Sequence, residues 1–207
     1  MNYLEVSDLA AQRGGRVLFK PLSARLQAAD ALILRGANGA GKTSLLRTLA
    51  GLLRPAGGTI RAAIAGKPVQ GEDLGLHCIY AGHADGLKGV RTPLQELRYW
   101  AAAMGGDAAQ AAAALERVEL PAEAAHRPCR MLSAGQRRRT VLARLLMGCP
   151  RPIWLLDEPT ASLDQSGKAM LSDLLAAHRA AGGIVVAALH EALDLPQAES
   201  LELHPCA

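Results

Sequence analysis

The chain has 207 residues, of which half are hydrophobic and a fifth charged, and its net charge is +4. That composition excludes disordered and fibrous proteins, and the length suffices for one sizeable domain with a core, plus a small second lobe. A surplus of four positive charges over such a length reads as ordinary solvated surface rather than as a nucleic-acid or membrane footprint.

With 3% aromatics, the core must be built from Leu, Val, Ile and Ala. The cysteines Cys78, Cys129, Cys149 and Cys206 show no CxxC spacing, so a reducing compartment fits better than a disulfide scaffold. His77, Cys78 and His83 lie close together, but no second ligand cluster at zinc-site spacing accompanies them. The N-terminus has no basic-then-apolar signal pattern, and the run Ile184 to Leu189 is far short of a bilayer span. The expectation is a cytoplasmic chain that acts on a membrane only through another subunit.

In chain order, Leu4-Glu5-Val6 and Val17-Leu18-Phe19 read as short strands. Ala31 to Leu34 reads as a buried strand, and Thr43 to Leu52 has helical apolar spacing through Leu45, Leu46, Leu49, Leu52 and Leu53. Between them, Gly36-Ala37-Asn38-Gly39-Ala40-Gly41-Lys42-Thr43 fits G-x-x-x-x-G-K-[ST] in its proper strand–loop–helix context. The glycines permit positive φ and bring N–H groups to phosphate oxygens, and the helix turns its positive end toward the anion. Lys42 would neutralise the β- and γ-phosphates, and the Thr43 hydroxyl would take a position on Mg²⁺.

Leu76 to Tyr80 is strand-like. Gln95 to Ala143 has a mostly helical pattern, with Ala-rich Ala108 to Ala114 within it, broken by Gly105-Gly106, Pro121 and Pro128. Two strand-like runs follow, Ile153 to Leu156 and Gly183 to Leu189. Strands alternating with helices predict an α/β fold with a parallel sheet. The first of these runs ends in Asp157-Glu158-Pro159, and ligand sites in open α/β sheets form at the C-terminal ends of strands. Neighbouring side chains there face opposite ways, so Asp157 is expected to hold Mg²⁺ and Glu158 to accept or orient the proton of an attacking water.

Leu132-Ser133-Ala134-Gly135-Gln136 resembles the LSGGQ signature of the ATP-binding cassette proteins, with Ala134 replacing a glycine. Arg137-Arg138-Arg139 and Ala143-Arg144 continue that family's helix, and the resemblance runs over essentially the whole chain. Without the family, Arg137 to Arg139 would suggest nucleic acid; beside this motif, phosphate proximity and helix surface explain them equally well. Ser133 and Gly135 place a hydroxyl and N–H groups at a helix N-terminus, a second anion site about ninety residues after the phosphate loop. The resemblance implies a P-loop NTPase of the cassette type: a RecA-like core over residues 1–82 and 148–207 and an inserted helical lobe over 83–147. It implies ATP and Mg²⁺ as cofactors, with ATP held by residues 36–43, Ser44 and Arg13. It also implies a homodimer in which Ser133, Ala134, Gly135, Gln136 and the D-loop residue Asp164 cap the partner's ATP. His190 resembles the switch histidine, so Lys42, Glu158 and His190 form the expected catalytic set.

Two positions depart from the family pattern. His83 fills the slot of a glutamine that touches Mg²⁺, where a neutral imidazole can still bond to metal-bound water and a protonated one cannot. Arg13 stands near the place of a missing adenine-stacking aromatic, and a guanidinium can stack on a base. Gly82-His83, Gly86-Leu87-Lys88, Thr92 to Leu97 and the LSAGQ sequence together resemble the ATP-binding subunits of cytochrome c maturation systems, long described as haem exporters. That implies a peripheral subunit on the cytoplasmic face of a bacterial inner membrane, paired with an integral membrane permease and making no direct nucleic-acid contact. Export of another substrate, or a soluble cassette acting on nucleic acid, are the rival readings.

Overall fold

A computed structural model describes residues 1–147, 151–190 and 193–206, with backbone only at Gln70 and Glu72. Two compact units divide the chain: Met1–Gly82, Arg151–Glu158 and Leu175–Ala207 form the first, and His83–Pro150 with Pro159–Leu174 the second.

The first unit begins with β1 (Tyr3–Ala10), the short pair β2 (Gln12–Arg13) and β3 (Arg16–Val17), β4 (Leu22–Gln27) and β5 (Ala31–Arg35). Helix α1 (Lys42–Leu49), β6 (Gly57–Ile64), β7 (Lys67–Gln70) and β8 (Cys78–Ala81) follow. The second unit carries α2 (Pro93–Met104), α3 (Ala111–Arg117) and α4 (Ala134–Ala143). The chain returns to the first unit with β9 (Ile153–Asp157), enters α5 (Gln165–Ala180), which the two units share, and ends with β10 (Ile184–Ala188) and β11 (Glu199–Glu202).

Two sheets build the first unit. The order β11-β5-β10-β9-β8 is parallel throughout, as the α/β reading predicts, and β5, β9 and β10 are apolar runs because they are covered on both faces. The antiparallel sheet β4-β1-β6-β7 was not legible beyond Leu4–Val6, since β6 and β7 carry Gly, Arg, Lys and Pro and expose much of their length. An aliphatic core of Leu9, Leu34, Leu45, Leu46, Leu155, Val186 and their neighbours joins α1 to these strands, with Phe19 as the fully buried aromatic.

Several boundaries differ from the sequence expectation. Helix α1 stops at Leu49 because Gly51 takes φ 73°, and Leu52 and Leu53 are exposed rather than part of its apolar stripe. Leu76 is exposed in a 3₁₀ segment, Gly71–His77, so the strand starts at Cys78. Val17-Leu18-Phe19 supplies only the end of β3 and a single bridge from Phe19 to Pro205. Pro159–Leu174, expected in the core, groups with the helical unit. Residues 148–150, at the expected start of the second core segment and including Cys149, lie outside the described residues.

Within the second unit, α2 starts on a capping box. The Thr92 hydroxyl accepts from the Gln95 N–H, Gln95 Oε1 accepts from the Thr92 N–H, and Pro93 needs no partner at the first helical position. Glu96 is 3% exposed and binds Arg144 (3.3 Å), Arg91 (3.5 Å) and the Lys88 N–H (3.3 Å). Arg144 also donates to the carbonyls of Asp85 and Gly86 and lies 5.0 Å from the centroid of the Trp100 ring. The segment from Asp85 to Arg91 is thus tied down by one buried ion pair. Among the described residues no helix is long and apolar enough to cross a membrane.

Candidate active site

The phosphate-type loop leaves β5 at Gly36 (φ 130°) and enters α1 through Gly41 (φ 101°). Both glycines are sterically required. A Cβ on Gly36 would come within 2.7 Å of the Leu203 carbonyl oxygen, and one on Gly41 within 2.6 Å of the Phe19 ring. Gly39 also has positive φ, 83°, yet nothing crowds it. Ala37, Asn38 and Gly39 are exposed, whereas Ala40 is buried in the core and its N–H donates to Ala37 O. Ala40 therefore anchors the loop rather than offering its side chain to a ligand.

Lys42 is 7% exposed, and its ammonium donates to the carbonyls of Gly36 (2.6 Å) and Ala37 (3.2 Å), so the loop wraps around its own cation. One residue on, the Thr43 hydroxyl donates to Asp157 Oδ1 at 3.1 Å. Ser44 carries the carbonyl that accepts from the Thr48 hydroxyl. Asp157, at the end of β9, is 2% exposed, and its Oδ2 accepts from the Tyr80 hydroxyl at 3.2 Å. Burial raises the Tyr80 pKa above the usual phenol value, so this group stays a donor. Two hard oxygens side by side, Thr43 Oγ1 and Asp157 Oδ1, suit Mg²⁺, which takes few protein ligands and leaves the rest to phosphate and water.

Glu158 follows β9 in the left-handed region, φ 51°, held there by its N–H donating to Ala188 O at 3.0 Å. A non-glycine in this region carries strain of about 1 kcal/mol or more, which marks candidate functional positions. Its carboxylate lies 3.0 Å from His190 Nε2. Both side chains are partly exposed. The first unit therefore brings together Lys42, Thr43, Asp157, Glu158 and His190 at the C-terminal ends of parallel strands. Arg13 lies on the exposed hairpin β2–β3, whose turn uses Gly14 and Gly15 at φ 58° and 79°. His83 opens the second unit and is exposed.

The second unit holds the signature segment. Ser133 caps α4: its hydroxyl accepts from the Gln136 N–H (3.1 Å), and Gln136 Oε1 accepts from the Ser133 N–H (3.0 Å). The N–H groups of Ala134 and Gly135 remain at the positive end of the helix. A Cβ on Gly135 would come within 3.0 Å of the Ser162 carbonyl oxygen, so α4 and the segment before α5 approach closely there. Ser133, Gly135, Gln136, Arg139, Ser162 and Asp164 line a cleft of about 400 Å³. Asp164 Oδ1 accepts from the Gly167 N–H (2.9 Å), the Ser166 hydroxyl (3.2 Å) and Arg139 (3.2 Å). The Gly167 N–H first, and its other donors after it, hold the Asp164 pKa below the usual carboxylate value.

The three consecutive arginines are structural staples rather than a free basic run. Arg137 binds Asp85 and the Leu132 carbonyl, and buried Arg138 donates to the Pro159 carbonyl. Arg139 joins Val118 and Glu119 to Asp164 and Ser166. Their separate targets could not be read from a sequence that shows three like charges in a row. Tyr80 and Arg47 also escaped the sequence reading. The signal for Tyr80 was its place on the strand beside Asp157.

The ABC transporter family matches over residues 19–161, and with this geometry it defines the class: an ATP-binding cassette ATPase. A putative ABC transporter ATP-binding protein from Pyrococcus furiosus shares the fold with a TM-score of 0.82 over 98% of both chains, at 23% identity. A dimeric bacterial ABC transporter cassette superposes with a TM-score of 0.75 over 91% of this chain and 88% of its own, at 22% identity. Among relatives, the cytochrome c biogenesis ATP-binding export protein CcmA of Paracoccus denitrificans is 48% identical over 99% of this chain and 90% of its own. The protein of the same name from Paramagnetospirillum magneticum is also 48% identical, over 95% and 91%. The chain belongs to this family of cytochrome c biogenesis ATP-binding export proteins.

Proposed function

We propose that the chain hydrolyses ATP to drive an inner-membrane complex that serves c-type cytochrome biogenesis, by haem export or by release of a haem-loaded chaperone. The observation that carries the enzymatic part is the constellation of Lys42, the Thr43–Asp157 pair and the Glu158–His190 pair in one compact unit. The names and near-complete coverage of the relatives support the cytochrome part.

In this reading the loop N–H groups and Lys42 cradle the β- and γ-phosphates. Mg²⁺, held through Thr43 and Asp157, would neutralise charge developing on the phosphates. Glu158 accepts or orients the proton of the attacking water, and His190, at hydrogen-bond distance from Glu158, fixes that carboxylate and reaches the γ-phosphate. Arg13 stacks on the base. A second copy supplies Ser133, Ala134, Gly135, Gln136 and Asp164 to the same nucleotide, so two ATP molecules are sandwiched in a homodimer. The dimeric architecture of the cassette with the same fold is consistent with this arrangement. A permease subunit reads closure and opening from the cytoplasmic face of the membrane.

The test is haem staining of c-type cytochromes in cells lacking the chain, complemented with wild type or Lys42→Ala. Loss of cytochromes, restored by wild type alone, is expected. Cytochromes that persist unchanged refute the cytochrome assignment, and full rescue by Lys42→Ala refutes the need for ATP turnover.

A further inference from the structure

Strand register and helix period converge on a residue that the reading above leaves without a role. Tyr80 pairs with Leu155 across β8 and β9, and side chains on a strand repeat their face every second residue. Tyr80 therefore shares a face with Asp157. On α1, Thr43 and Arg47 are four residues apart and so lie on one side of the helix. The result is a clamp on one carboxylate. Thr43 donates to Oδ1 (3.1 Å), Tyr80 donates to Oδ2 (3.2 Å), and Arg47 Nε donates to the Tyr80 hydroxyl (3.4 Å). The phenol fits its slot closely. A Cβ on Gly82 would sit 3.1 to 3.3 Å from the ring edge and hydroxyl of Tyr80.

We infer that Tyr80, steadied by Arg47, is a positioning residue for the metal step: it holds Asp157 Oδ2 so that Oδ1 stays turned toward Thr43, where Mg²⁺ would bind. Loss of the phenol donor weakens the hold on Oδ2, and rotation of the carboxylate then takes Oδ1 away from Thr43. A phenol suits the task because it donates one hydrogen bond, brings no charge to compete with a cation, and packs its ring against the aliphatic core. The inference rests on the proposal that Asp157 takes part in holding Mg²⁺.

The experiment measures binding of a fluorescent N-methylanthraniloyl-ATP to the full chain, first in EDTA and then through a Mg²⁺ titration. Mn²⁺ binding in the presence of ATP, read by electron paramagnetic resonance, provides a readout independent of turnover. Tyr80→Phe is expected to bind nucleotide in EDTA as wild type does. Its half-saturating Mg²⁺ and Mn²⁺ concentrations should rise about tenfold or more, the scale of losing one hydrogen bond to a charged group. Arg47→Met should shift the metal midpoints in the same direction by a smaller factor. Midpoints within twofold of wild type in Tyr80→Phe overturn the inference. If Tyr80→Phe fails to fold, Arg47→Met decides, and an unchanged midpoint there overturns it equally. Asp157→Asn separates this inference from the reading beneath it. A large shift with Asp157→Asn and none with Tyr80→Phe sinks only the role of Tyr80, whereas no shift with Asp157→Asn sinks the metal role of Asp157 itself.

Discussion

Replacing Glu96 by Ala should loosen the helical unit far more than the rest of the chain. The Glu96 side chain is 4% exposed and its partner Arg144 12%. Burial already pulls the Arg144 pKa down, and Glu96 is the group that most opposes that pull. Removing the carboxylate leaves a guanidinium in a low-dielectric setting, a class of change that costs about 3 to 5 kcal/mol. Loss of the half-exposed contact to Arg91 adds no more than about 1 kcal/mol. The carbonyls of Asp85 and Gly86 and the face of Trp100 still receive the cation, so the lower end, about 3 kcal/mol, is expected. For a chain of this size that corresponds to a fall in Tm of about 6 to 12 °C. Hydrogen exchange read by mass spectrometry is the sharper assay, because compact units open separately. Peptides covering residues 83–100 should lose protection while those covering β5, β9 and β10 keep theirs. The double variant Glu96→Leu with Arg144→Met removes both charges and should recover part of the loss. A Tm change below about 2 °C, or a double variant as unstable as Glu96→Ala, refutes the claim that an orphaned buried cation is the cause.

Glu158→Gln keeps the shape of the carboxylate but not its basicity, so ATP should still bind and the sandwiched dimer should persist. A monomer mass by light scattering at saturating Mg-ATP rules out the sandwich mechanism. A further prediction concerns His178, which stacks on Trp154 at 3.8 Å between ring centroids and bonds the Pro152 carbonyl. Burial lowers its pKa from 6.5 to about 4. The unfolded chain therefore binds a proton that the folded chain refuses across that window. The associated stability is complete above pH 6.5 and is lost as pH falls toward 4, by up to about 3 kcal/mol. Urea unfolding of wild type and His178→Phe at pH 7.5 and pH 5 measures it. Equal losses in the two proteins refute the assignment.

How much of this site was legible beforehand depended on where the information lies along the chain. The phosphate loop, the acidic strand end and the capped signature helix each fit within ten consecutive residues, and local rules of turn geometry, strand ends and capping decode them. The parallel sheet was legible because β5, β9 and β10 are buried on both faces and read as plain apolar runs. Strands β6, β7 and β11 were not legible, because their edges and outer faces are wet and their sequence carries no clean alternation. Long-range pairing was least accessible. The partner of Arg144 lies 48 residues away, that of Tyr80 lies 77 away, and that of Thr43 lies 114 away. The three arginines after the signature illustrate the consequence. Their charge suggested a phosphate or a nucleic acid, yet helix periodicity points each in a different direction, and each closes on a different carbonyl or carboxylate. What a charge does in this protein is therefore fixed by which segments the fold brings beside it. Arg139 shows this most directly: the residue that reads as part of a basic run is the one that ties the signature helix to Asp164 at the start of α5.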